Sequence, residues 1–262
     1  MTVRHGPQGD DVLDVVPLGP GVLAGFTSRR GGGSVAPWAG LNLGSAVGDD
    51  PDVVAANRAV LQRRVGVPVV LATQVHGNDV VVVHEGTWDP GRRADGLVTT
   101  SARVAVAVYV ADCAPVLLAD PVARVVAAAH AGRAGLVAGV LQATVDAMVR
   151  EGADRDRVVA AVGPCIAGRS YEVPATLRDD VAAVVPEAAT RSAAGTPAVD
   201  LAAGAAAVLR RCGVREVHVD GRDTYADPAL YSHRRAVHAG RGVTGRFAGV
   251  VRLLDDRDPR GG

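Results

Sequence analysis

Two periods organise the apolar residues of this chain. Short runs rich in valine and alanine recur near 69–73, 79–84, 97–99, 104–110, 116–119, 124–129, 158–162 and 216–219. Several are closed by Gly, Pro or Asp, as at Asp120-Pro121, Gly163-Pro164 and Asp220-Gly221, which predicts strands. Between them the spacing lengthens to three and four residues. Over 52–65 the apolar positions are Val53, Val54, Ala56, Val60 and Leu61, and over 136–151 they are Val137, Val140, Leu141, Val145 and Met148. Both stretches predict amphipathic helices, the first started by Asp49-Asp50-Pro51; two more are expected near 174–185 and 200–212. Neither a linker nor an internal repeat interrupts the alternation. The pattern predicts one mixed α/β (α+β) domain over 1–254, and a charged, disordered tail at 255–262.

One hairpin carries the first chemical suggestion. Asp120-Pro121 suits a type I turn between two apolar runs. A turn over 120–123 would set Cys113 directly opposite His130, with Cβ atoms roughly 4.5–5.5 Å apart. A thiol and an imidazole at that range can share a metal ion or act as nucleophile and base. A Cys in an apolar strand is more often a small buried hydrophobe. Here, however, Asp112 precedes the Cys, Ala131-Gly132 follows the His where strand gives way to helix, and His76 stands between two further apolar runs. Cys113, His130 and Asp112 are the expected catalytic residues.

Composition excludes more than it suggests. The chain has 262 residues, 48% of them apolar, and a formal net charge of zero. It contains no lysine, so every fixed side-chain cation is an arginine. A balanced charge argues against nucleic-acid binding through bulk electrostatics. The polar start, Met1 to Pro7, has no apolar h-region, and no run of eighteen apolar residues occurs. Three cysteines do not form a disulfide framework, and the expected compartment is the cytoplasm. Gly19 to Ala24 matches a dinucleotide fingerprint in letters only, since Pro20 interrupts it and a Gly-rich loop follows. Walker, nucleophile-elbow, zincin and cytidine-deaminase patterns are absent.

Several separated motifs resemble those of the YfiH/YlmD family, the laccase-domain proteins regarded as purine nucleoside phosphorylases. They are Thr73-Gln74-Val75-His76-Gly77, Ala111-Asp112-Cys113-Ala114-Pro115 and His130-Ala131-Gly132. Thr27-Ser28-Arg29, Leu41-Asn42-Leu43-Gly44, Ala94-Asp95-Gly96, Gly163-Pro164-Cys165, Tyr171-Glu172-Val173 and Tyr231-Ser232-His233-Arg234-Arg235 extend the likeness along nearly the whole chain. The resemblance implies a single-domain four-layer α/β/β/α sandwich with mixed sheets. It implies a zinc ion, with copper as the alternative, on His76, Cys113 and His130. It further implies phosphorolysis of adenosine, inosine and methylthioadenosine, with adenosine deamination besides. The expected small-molecule partners are a purine nucleoside and phosphate, in a monomer or homodimer that binds neither nucleic acid nor membrane.

Within that family pattern, Arg29 and Arg234 are the expected phosphate ligands, because a guanidinium binds oxygens bidentately. Asn42 is expected to hold a ribose hydroxyl. Two His and one thiolate would leave a tetrahedral zinc one open position. A copper-dependent phenol oxidase is disfavoured, because seven histidines and two methionines are too few for several copper sites. The family's usual Trp-Arg-Gly after His-Ala-Gly is here Arg133-Ala134-Gly135, Ala205 stands where an Asn is common, and His233 replaces a Tyr. Two other readings stay open: a metal-free hydrolase or amidase with Cys113 as nucleophile and His130 as base, and a non-catalytic partner protein.

Overall fold

The computed structural model describes residues 12–255 apart from Thr87 and Pro90. The polar start at 1–7 and all of the expected tail but Asp255 therefore lie outside the described residues. Two mixed sheets face each other. The first has five strands, in the order Leu13–Val15, Val22–Thr27, Phe247–Leu253, Ala105–Val110 and Val69–Val70, of which only the last pair is parallel. The second has six, in the order Glu216–Val219, Val159–Val162, Ala114–Asp120, Val125–Ala131, Gly96–Thr99 and Val80–Val82, parallel at its two edges and antiparallel between.

Strand periodicity divides the core into layers. Leu117 and Ala119 point between the sheets, where they meet Phe26, Val106, Val108 and Val251. Their neighbours Val116 and Leu118 point the other way, onto the helices Val140–Arg150 and Leu201–Arg211 through Leu141, Val145, Met148, Val208 and Leu209. The strand is buried on both faces, so its apolar run is continuous rather than alternating. On the far side of the five-stranded sheet the helix Pro51–Val65 packs Leu61 and Val65 on Leu23, Ala107 and Val250. The result is the four-layer α/β/β/α sandwich. The sheets touch closely at Gly163, where an added Cβ would lie 2.3 Å from the Phe26 ring.

Several features differ from the sequence-based expectation. The hairpin loop is Pro121 to Arg124, with Arg124 at φ 55°, so Pro115 and not Cys113 lies directly opposite His130. The shift is two residues, which preserves the face, and Cys113 becomes a diagonal neighbour of His130. The helix expected over 136–151 is two helices, Arg133–Ala138 and Val140–Arg150, divided at Gly139 (φ 91°). The strands Leu13–Val15, Val22–Thr27 and Phe247–Leu253 were not expected at all.

The hairpin turn also holds a carboxylate that stabilises the fold. Buried Asp120 accepts hydrogen bonds from the amides of Val122, Ala123 and Asp154 and pairs with Arg157 at 3.0 Å. Burial raises its pKa, but these donors outweigh burial and hold it below the ordinary 3.8. A depressed carboxyl contributes stability that is present above its unfolded pKa and lost as pH falls through the folded one. Asp120→Asn should therefore cost about 1.5–3 kcal/mol at neutral pH, with the gap to wild type closing below about pH 4. Urea unfolding at both pH values checks this; a gap that persists in acid would refute it.

Candidate metal centre and its cavity

Three separate elements supply the site. His130 lies near the end of the strand Val125–Ala131, Cys113 immediately precedes the strand Ala114–Asp120, and His76 sits in the loop before Val80–Val82. His76 (φ 60°) and Asp112 (φ 91°) are two of the three non-glycine residues at positive φ among the described residues. Such conformations cost energy and persist where surrounding bonds impose them.

Those bonds are identifiable. The buried Asp95 carboxylate accepts from the consecutive amides of Val75 (3.1 Å), His76 (3.0 Å) and Gly77 (2.8 Å). It also accepts from His130 Nδ1 at 2.7 Å, while its own carbonyl receives the His130 amide. One side chain thus sets the His76 loop and the His130 ring together. Because a carboxylate only accepts, Nδ1 of His130 carries the proton and Nε2 is left for the cavity. Asp112 does the corresponding work for Cys113: its carboxylate accepts from Thr224 Oγ1 (2.6 Å) and the Arg234 amide (2.7 Å), and its carbonyl from the Ile166 amide.

The three side chains converge. Their donor atoms all lie within 4.8 Å of one another, with Cys113 Sγ 3.8 Å from His76 Nε2 and the two imidazoles edge to face at 4.7 Å between centroids. Among the described residues this is the one cluster of three or more such groups. Gly132 makes room for it: an added Cβ would stand 2.8 Å from His76 Cδ2 and 2.9 Å from Cys113 Sγ. Burial opposes the thiolate, but His130 and His76 prevail and bring the Cys113 pKa down to about 6. Burial likewise opposes the imidazolium of His130, and Cys113 and Asp95 raise its pKa to about 9. Without metal the pair is a thiolate beside an imidazolium; a cation would take the place of that proton. The donor set suits zinc, with two imidazoles and one thiolate of borderline softness.

The cluster opens into a cavity of about 750 Å³. Tyr109 and Tyr171 contribute aromatic faces, and Arg133, Arg234 and Arg246 contribute charge. Arg234 lies 5.1 Å over the Tyr171 ring and donates to the Glu172 carbonyl at 2.8 Å. Asp112, expected as a catalytic residue, forms part of the cavity wall, and of the expected substrate residues Arg234 lines it. Arg29 and Asn42 do not. Arg29 is packed on Tyr231 behind the helix His233–His238, and buried Asn42 spends its amide on Asp49, Gly44 and the Arg246 backbone. Sequence reasoning overlooked Asp95, whose motif was visible but whose partners were not, and the arginine Arg246. Arg133, one position before the slot of the family's usual arginine, lines the cavity.

The other two cysteines lie elsewhere. Cys165 is buried in the helix-covered core, where burial raises its pKa, and half-buried Cys212 ends the helix Leu201–Arg211. Cys165→Ala and Cys212→Ala should keep their full metal content by elemental analysis. A folded variant of either that loses metal would refute the assignment to packing.

The family described as multi-copper polyphenol oxidoreductase laccase matches residues 23–254. This chain belongs to that family. Its relatives include a Streptomyces coelicolor protein named purine nucleoside phosphorylase, 49% identical over 89% of this chain and 96% of that one. A Mycobacterium tuberculosis protein with the same name is 48% identical over 86% of this chain and 89% of its own length. Among solved structures, a Neisseria meningitidis protein superposes with a TM-score of 0.82 at 36% identity, covering 92% of this chain and 97% of that chain. YlmD from Geobacillus stearothermophilus gives 0.81 at 31%, over 90% and 93%. The YfiH/YlmD resemblance and the fold it implies therefore hold. Among the described residues no helix is long and apolar enough to cross a membrane.

Proposed function

We propose that this protein is a zinc-dependent purine nucleoside phosphorylase that cleaves adenosine, inosine and methylthioadenosine, with adenosine deamination as a side activity of the same cavity. The observation that carries the reading is the opening of the His76–Cys113–His130 cluster into a cavity walled by arginines and tyrosines. The names of the relatives support it. His76 Nε2, Cys113 Sγ and His130 Nε2 would hold the metal, which supplies a Lewis acid when bound. Asp95 orients the His130 imidazole and sets the loop that carries His76, and Asp112 is a positioning residue that sets Cys113.

The remaining work falls to the cavity wall. Phosphorolysis forms a bond from a phosphate oxygen to C1′ as the C1′–N9 bond breaks, with the electron pair leaving on the purine, which takes a proton from water. Arg234 and Arg246, on the cavity wall, would hold the phosphate dianion. Tyr171, already stacked under Arg234, offers a face for the base or sugar. Arg234→Gln should raise the KM for phosphate by about tenfold or more while bound metal stays unchanged. Base release that proceeds equally well without phosphate would sink the phosphorylase reading.

A second reading rests on a specific observation. Cys113, His130 and Asp95 form a thiolate–imidazolium–carboxylate series, the arrangement of a cysteine hydrolase. Metal content separates the two, since a zinc-bound thiolate is no longer a free nucleophile.

A further inference from the structure

Behind the helix His233–His238, on the side away from the metal cavity, lies a second and much smaller pocket of about 90 Å³. Its charged lining is Arg29, Arg235 and Arg241, and its remaining walls include Ser232 and Thr244; no carboxylate lines it. Three guanidiniums around a space of that size repel one another. Burial lowers the pKa of Arg235, and the charges of Arg29 and Arg241 lower it further. Two carboxylates act on Arg235 in the opposite sense, Asp112 and Asp227. Both are already engaged, Asp112 by Thr224 and the Arg234 amide and Asp227 by the Ala229 amide.

Two of the arginines are held ready. Arg235 donates to the carbonyls of Thr224, Tyr225, Asp227 and Leu230. Arg29 donates to the Ala39 and Pro228 carbonyls and lies 5.0 Å over the Tyr231 ring. The third, Arg241, is exposed and stands between Gly240 (φ 72°) and Gly242 (φ 68°) in the turn that follows the helix. Two guanidiniums fixed by neutral acceptors and one on an adjustable turn make a receptor for a compact polyanion, because fixed forks lose little freedom on binding. We propose that this pocket is an anion site for a tetrahedral phosphate oxyanion, distinct from the metal cavity.

The placement suggests what occupancy does. The helix whose Arg235 faces this pocket presents His233 and Arg234 to the metal cavity from its other side. An anion bridging Arg29, Arg235 and Arg241 would tie that helix to the loop carrying Arg29, and so steady Arg234 over Tyr171. The binding claim stands whether or not the protein is a phosphorylase; only the steadying of Arg234 rests on that reading.

Calorimetric titration of the metal-loaded protein with inorganic phosphate and with adenosine 5′-monophosphate tests the site, using Arg241→Gln and Arg234→Gln. The expected result is a phosphate-binding event weakened at least tenfold by Arg241→Gln, whose side chain is exposed, and retained in Arg234→Gln. Equal affinity for the two probes would assign the site to free phosphate, and tighter binding of the monophosphate to a nucleotide phosphate group; either outcome supports the proposal. Wild-type titrations with both probes that Arg241→Gln leaves unchanged would overturn it. Failure of the phosphorylase reading would show instead as absent base release, with the Arg241-dependent binding intact.

Discussion

Replacing Cys113 with alanine is expected to reduce bound metal from about one ion per chain to almost none and to abolish nucleoside cleavage. The loss should exceed the roughly 100-fold that removal of an outer partner of a metal ligand costs. Cys113 supplies the only thiolate in the cluster, within 4.8 Å of both imidazole donors, and the remaining pair leaves two of four tetrahedral positions without protein ligands. The fold should survive, because Cys113 is half-buried and lies just outside the strand Ala114–Asp120 rather than within the core. Chelation of the wild type should reproduce the loss, and added zinc should restore the wild type but not the variant. If metal-free wild type keeps full activity while Cys113→Ala has none, the cysteine-hydrolase reading takes its place.

Asp95→Asn should be the next most damaging change, although Asp95 touches no substrate. Its carboxylate accepts four hydrogen bonds, three from the Val75–Gly77 amides and one from His130 Nδ1. Burial raises its pKa, but His130 and those amides outweigh burial and hold it below the ordinary range, so it is ionised at neutral pH. Oδ1 serves His76 and His130 and Oδ2 serves Val75 and Gly77, so an asparagine amide nitrogen in either position faces two donors with hydrogens of its own, which breaks the set. Metal affinity should fall by roughly 10–100-fold. Loss of a buried charged acceptor, about 1–3 kcal/mol, should lower the melting temperature by several degrees. A metal titration and a thermal melt read the two effects separately. Unchanged metal affinity would show that the His130 ring is oriented by something other than Asp95.

Much of this protein is legible in its sequence. Local patterns specified the helix Pro51–Val65 and most strands of the six-stranded sheet, because their apolar periods and bounding turns lie within a few residues of each other. The Cys113–His130 proximity survived a wrong register, since a slip of two residues leaves both side chains on the same face. His76 was reachable only through its motif, as nothing local links it to residues 37 and 54 positions away.

Long-range contacts decided the rest. Val22–Thr27 and Phe247–Leu253 pair at the middle of the five-stranded sheet, with Phe26 opposite Gly249; neither has a sequence neighbour as its strand partner on that side, so neither announces itself locally. Arg29 and Arg234 both stand in familiar motifs, yet the helix His233–His238 separates them, leaving one behind it and the other over the metal cluster. Asp95 could be read as a turn residue until folding brought the His76 loop and the His130 ring to the same carboxylate. Residue types determined which chemistry this chain can perform. Which side chains share a cavity was decided by tertiary packing, because the distances that matter join segments far apart along the chain.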